Sequence, residues 1–216
     1  MFTLAVTVLA LVSAALEIRA EYRGPRSHVY CFKPLTMVLI LVIALSDARA
    51  DPSIRAVALV AGLVFCLMGD VLLMLPSDRF VAGLACFLVG QIAYTIAFTA
   101  GIGFSFSVRS LAPAVLYGAL IYLLLAPHLA KLRLPVLAYI IVILIMTWQA
   151  FERWNRVRHS GNLLALAGAI LFLFSDSVLA LDRFRQRFES ARFLTLSSYF
   201  CAQLLIASSL RQNFLF

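Results

Sequence analysis

The chain has 216 residues, of which 63% are hydrophobic and 13% charged, and 18 Lys+Arg against 10 Asp+Glu give it a formal net charge of +8. Soluble domains carry roughly 45–50% apolar and about 25% charged residues, so this composition excludes a water-solvated core and points to lipid as the solvent. The basic residues are scattered between apolar runs, where they meet anionic headgroups; no basic stripe of the kind nucleic acid requires is present.

A span needs about 20 mostly apolar residues. The apolar runs fall at 2–20, 32–46, 54–75, 80–100, 108–125, 134–151, 161–181 and 193–210. They predict an all-α membrane protein of about eight transmembrane helices, forming a single polytopic domain over 1–216 with almost nothing outside the bilayer. Unpaired backbone groups cost several kcal/mol each in hydrocarbon, which leaves helices or a closed barrel, and the alternation of a barrel is missing. The N-terminus, Met1-Phe2-Thr3-Leu4, lacks a basic n-region, so the first run is expected to be a retained helix. Breaks fall at Arg23-Gly24-Pro25-Arg26, Asp51-Pro52-Ser53, Pro76-Ser77-Asp78-Arg79 and from Arg183 to Arg192, while Pro34 and Pro135 are expected to open the second and sixth helices. Cys31, Cys66, Cys86 and Cys201 lie in or against apolar runs without paired spacing and read as small hydrophobes.

Eight spans put both termini on one side of the membrane. The loops after helices 1, 3, 5 and 7 hold eleven Lys and Arg, and the opposite side holds seven. The positive-inside rule then places the odd loops in the cytoplasm and the termini outside, in a multi-pass protein of a bacterial inner membrane.

Helix 3 and helix 7 repeat one another. Ala61–Leu75 and Ala167–Leu181 match at six of fifteen positions, including Asp70 and Asp176. Asp78-Arg79-Phe80 follows the first run and Asp182-Arg183-Phe184 the second, and Gln91 and Gln203 each stand four residues after an aromatic, Phe87 and Tyr199. Chance similarity between leucine-rich segments explains some leucine matches and accounts less well for the aspartates. A four-plus-four duplication, with halves at about 1–105 and 106–216, is therefore expected. Four spans per half keep both halves in the same orientation, about an axis along the membrane normal.

A carboxylate inside a span is costly and marks a cavity or a partner. Asp70 precedes Pro76 by six residues, roughly 9 Å of helix from the odd-loop end. Asp176 sits at the equivalent depth. Lys33, Tyr139 and Glu17 also fall near that end, so five polar side chains converge on one leaflet. Lys33 snorkelling to the interface and Glu17 pairing with a loop arginine are the plainer alternatives. The three histidines, His28, His128 and His159, lie in loops or at helix ends, and no metal-ligand spacing occurs within the spans.

The residues Phe32-Lys33-Pro34-Leu35-Thr36, Gly69-Asp70-Val71-Leu72-Leu73, Gly83, Phe87, Tyr94, Pro135, Tyr139, Phe174-Ser175-Asp176, Tyr199 and Gln203 run along nearly the whole chain. In this order they resemble the YhhN family of membrane proteins, the lysoplasmalogenases. Where this chain has Gln91, that family often has histidine. The resemblance implies hydrolysis of the vinyl-ether bond of a lysoplasmalogen to a fatty aldehyde and glycerophosphocholine or glycerophosphoethanolamine. Vinyl ethers hydrolyse by protonation of the outer alkene carbon, which leaves an oxocarbenium ion for water to capture. Glycosidases handle a similar cation with two carboxyl groups. Asp70 and Asp176 are the expected catalytic pair, one the proton donor and one the anion, with the assignment open. Lys33, with Arg19 or Arg23, is expected to hold the substrate phosphate. Tyr139, Tyr199 and Gln203 are expected to line the site and position water, with Glu17, Tyr94 and Gln91 completing the substrate-binding set. No metal or organic cofactor is needed, and the partners are lysophospholipid and membrane lipid. A transporter or lipid-translocating protein is the alternative, since repeats and intramembrane carboxylates are common there. A structural membrane subunit would leave both aspartates unexplained.

Overall fold

A computed structural model describes residues 1–50, 52–77 and 79–211, with the backbone alone at Ala50. Asp51, Asp78 of the repeated Asp-Arg-Phe, and Phe216 at the C-terminus lie outside the described residues. Among the described residues the chain is helical and forms no strand. The helices are α1 (Phe2–Arg23), α2 (Arg26–Ala50), α3 (Ile54–Met74), α4 (Phe80–Thr99), α5 (Val108–Leu125), α6 (Arg133–Arg156), α7 (Ser160–Ala180) and α8 (Ala191–Ser208). Seven segments, from α1 through α7, are long and apolar enough to cross a membrane. The chain is thus a multi-pass integral membrane protein. Helix α8 runs for 18 residues and mixes apolar positions with Ser198, Tyr199 and Gln203, all buried against its neighbours.

Two helix starts differ from the sequence expectation. Helix α2 begins at Arg26, so Pro34 stands inside it and does not open it. Proline is tolerated within membrane helices because neighbouring groups re-satisfy the freed carbonyl. Pro135 also follows the first residue of α6, which starts at Arg133, where the missing N–H has no helical acceptor to lose. The added residues bring in Arg26 of α2 and Arg133 of α6, whose charged heads suit the polar interface. Helix α7 ends in a π-helical turn, Leu181–Arg185, that swings its arginines toward the odd-loop face.

Helices α3 and α4, α7 and α8, and α1 and α2 pack as adjacent pairs, while α4 meets α6 and α2 meets α8. Small residues allow the closest approaches, as expected where lipid supplies no hydrophobic drive between helices. A Cβ on Gly62 would stand 2.3 Å from the Tyr94 ring, and one on Gly90 would stand 3.1 Å from the Gly62 carbonyl oxygen. In the other half, a Cβ on Gly168 would lie 2.7 Å from Ile206 and 2.8 Å from the Ala202 carbonyl oxygen. An aromatic cluster of Phe87, Tyr94, Phe172 and Tyr199 fills the centre with edge-on contacts.

The even-loop end is tied by polar bonds. Arg153 of α6 donates to the carbonyls of Phe98 (3.1 Å) and Ala100 (2.8 Å), satisfying the last turn of α4, and to Asn162 of α7 at 3.0 Å. Gln149 bridges both backbone groups of Ser105, at 3.1 and 2.9 Å. Arg211 pairs with Asp47 at 3.6 Å.

Candidate active site

The odd-loop end is open. A cavity of about 990 Å³ descends from the α1–α2, α3–α4 and α7–α8 connections to Lys33, Asp70, Asp176 and Tyr199. Asp70 reaches it from the last turns of α3 and Asp176 from the same level of α7. Close packing of α3 on α4 is what carries Asp70 inward: a Cβ on Gly69 would meet the Phe87 ring at 2.8 Å, and one on Gly83 would meet Leu73 at 2.8 Å.

The two carboxyls have different partners. Asp70 is buried and stands 3.4 Å from the Lys33 ammonium, while the Tyr199 hydroxyl donates to its other oxygen at 2.6 Å. Asp176 accepts from the Tyr139 hydroxyl and, at 3.2 Å, from the Gln91 amide, both neutral. One carboxyl is therefore charge-balanced, and the other sits among neutral donors.

Of the nine residues singled out from the sequence, four line the cavity: Lys33, Asp70, Asp176 and Tyr199. Tyr139 and Gln91 touch Asp176 from behind it. Tyr94 and Gln203 bond to one another at 2.6 Å in the layer beneath, away from the cavity lining. Glu17 is fully buried on α1, outside the lining, and neither of its carboxyl oxygens has a hydrogen-bond partner. Arg192 pairs instead with Glu21, one turn further along α1, at 3.4 Å.

Of the cations expected to hold the substrate phosphate, Lys33 lines the cavity. Lys33 is engaged with Asp70, and neither Arg19 nor Arg23 lines the cavity. Its mouth is lined by Arg26, Arg183, Arg187 and Arg192, together with the carboxylates of Glu21, Asp182 and Glu189. The α7–α8 connection supplies most of these charges. Their sequence signal was the dense Arg183-to-Arg192 run, which read only as a loop. Tyr22 stitches the mouth together, donating to the Glu189 carbonyl at 2.7 Å and accepting from the Phe193 amide at 3.1 Å.

Fold and site define an integral membrane protein with a buried and a half-buried carboxyl, Asp70 and Asp176, at the floor of a cavity that opens on one face. A profile described as the YhhN family matches residues 29–210. The chain is 32% identical over 203 residues to the protein named "Uncharacterized membrane protein YhhN" of Escherichia coli O157:H7, covering 94% of this chain and 97% of that one. It is 34% identical over 170 residues to Lysoplasmalogenase TMEM86B of Homo sapiens, covering 74% of this chain and 66% of that one. Over 159 residues it is 33% identical to Lysoplasmalogenase TMEM86A of Bos taurus, covering 71% of this chain and 65% of that one. No solved structure matches. The chain belongs to the YhhN family.

Proposed function

We propose that this protein is a membrane-embedded hydrolase that cleaves the vinyl-ether bond of lysoplasmalogens. The observation that carries the reading is the pair Asp70 and Asp176, brought from different helices to one cavity and given unlike partners. The relatives named lysoplasmalogenase point to the same substrate.

Asp176 is the proton donor. Asp176 is half-buried and has only neutral partners, so no neighbouring cation among the described residues favours its anion over its acid. It transfers its proton to the alkene carbon on the chain side, leaving an oxocarbenium ion on the carbon bonded to oxygen. Asp70, held as a carboxylate by Lys33 and Tyr199, stabilises that cation from the polar side of the cavity. Water adds to the cationic carbon, and its proton passes to a carboxylate. The hemiacetal then collapses, and the departing glycerol oxygen takes a proton. The sum is one vinyl ether and one water giving one aldehyde and one glycerol hydroxyl, with both carboxyls returned to their starting states.

Arginines at the mouth are suited to the substrate phosphate. The interspersed Glu21, Asp182 and Glu189 are suited to a headgroup ammonium, which favours zwitterionic choline and ethanolamine lipids. A transporter needs a path to both faces, and the even-loop end is tied through Arg153, Gln149 and Ser105. Purified protein incubated with a lysoplasmalogen should release fatty aldehyde. Absence of aldehyde from well-folded protein would overturn the reading.

A further inference from the structure

Asp176 borders two spaces. Besides the polar cavity it lines a narrow apolar slot between α4, α5, α6 and α7. Phe80, Asp176 and Leu179 line both, so little more than these side chains divides them. The slot walls are otherwise nearly all hydrocarbon, including Ile121 and Leu125 of α5, Ile140 of α6 and Ala180 of α7. Its hydroxyls are already engaged: Tyr117 donates to Ser177 at 2.8 Å, and Tyr139 donates to Asp176. Walls of this kind suit an alkyl chain, which needs no polar partner.

Helix α5 makes this slot a side opening. It packs on α6 and on the Leu181–Arg185 turn, and no packing of comparable extent joins it to α4 or α7. The Tyr117–Ser177 hydrogen bond spans that gap, one residue from Asp176. By contrast α1 is held by both α2 and α8. The outer face of α5 carries Leu116, Leu120 and Leu123, all exposed to lipid. Phe80 and Phe184 meet edge-on, with centroids 5.6 Å apart, and both line the slot.

We infer that the slot between α5 and α7 is the hydrocarbon-chain subsite, open laterally to the bilayer, and that the bound lipid crosses from slot to cavity at Asp176. This rests on the vinyl-ether reading and deepens it. The carbon that must be protonated is the one nearest the chain, and the crossing places it beside Asp176. The carbon that water attacks lies on the headgroup side, toward Asp70. The slot has a volume of about 40 Å³, so it takes only the first methylenes of a single chain, and the rest of the chain continues outward over α5 into the bilayer.

Two lysolipid probes test the subsite without activity, one with a diazirine in mid-chain and one with a diazirine on the headgroup. Peptide mapping should place the chain label on 117–125 or 177–180 and the headgroup label on 26–33 or 183–192. Chain label confined to other helices, or equal labelling of the slot by a diacyl probe, would overturn the inference. Chain-length kinetics give a second readout. Ala180→Leu narrows the slot and should lower the ratio of kcat/KM for an alkenyl chain over an unsubstituted vinyl group by about tenfold, the scale of a methylene in a fitted pocket. Ile140→Ala widens the slot and should raise that ratio. An unchanged ratio in both folded variants contradicts the subsite. If the wild type releases no aldehyde from any chain length, the vinyl-ether reading fails, and the labelling pattern still decides where a lysolipid chain lies.

Discussion

The Lys33 ammonium lies 3.4 Å from the Asp70 carboxylate where the two side chains are only 12% and 3% exposed. Such a pair gains from mutual attraction only because each partner relieves the desolvation of the other. Removing one leaves an uncompensated buried charge, which typically costs about 3–5 kcal/mol. Lys33→Ala should therefore lower the melting temperature in detergent as well as activity. The double variant Lys33→Met/Asp70→Leu should recover most of the stability and none of the activity. Full stability in Lys33→Ala alone would argue that the ion pair is not formed in the membrane.

Tyr199 and Tyr139 serve unlike carboxyls, so their loss should differ. Hydrogen bonds to charged groups are worth about 1.5–3 kcal/mol and those to neutral groups about 0.5–1.5 kcal/mol. Tyr199→Phe, at the ion-paired Asp70, should therefore reduce kcat more than Tyr139→Phe does at Asp176. Steady-state kinetics of the two variants check the order, and the reverse order would exchange the roles assigned to the aspartates.

The glycine contacts between α3 and α4 and between α7 and α8 occupy corresponding positions of the two runs. A methyl at Gly62 meets the Tyr94 ring, and one at Gly168 meets the Ala202 carbonyl and Ile206. Gly62→Ala and Gly168→Ala should each destabilise by about 1–3 kcal/mol, the usual cost of overpacking. Thermal melts in detergent measure this. Equal sensitivity would support the proposed duplication, in which these two sites are counterparts.

Orientation follows from the arginine distribution. The cavity opens on the odd-loop face, which holds the larger basic count and is proposed to be cytoplasmic. A C-terminal alkaline phosphatase fusion should be active and a fluorescent protein fusion dark. The opposite pattern would place the cavity mouth outside the cell.

The helices were legible because the apolar runs are long and are bounded by charge, Gly or Pro. Their facing was not. A helix apolar on every side, such as α4, has no stripe to say which residues turn inward. Asp70 and Asp176 could be singled out because a carboxylate in hydrocarbon is conspicuous whatever its neighbours. Their partners could not be paired, since Tyr199 reaches Asp70 across 129 residues of sequence. The start of α2 was misplaced because Pro34 resembles a helix opener, and the arginine run before α8 read as a connection with no part in a site.

The most direct test compares aldehyde release from a lysoplasmalogen by wild-type protein, Asp70→Asn and Asp176→Asn, each purified and shown to be folded. Asparagine keeps the volume but neither delivers a carboxylic proton nor carries a full negative charge. Each variant should fall by about 10²–10⁴ in kcat, the usual contribution of a general acid–base group. Wild-type turnover should also slow in heavy water, because protonation of carbon limits the rate. Near-normal turnover in either folded asparagine variant would contradict the two-carboxyl mechanism.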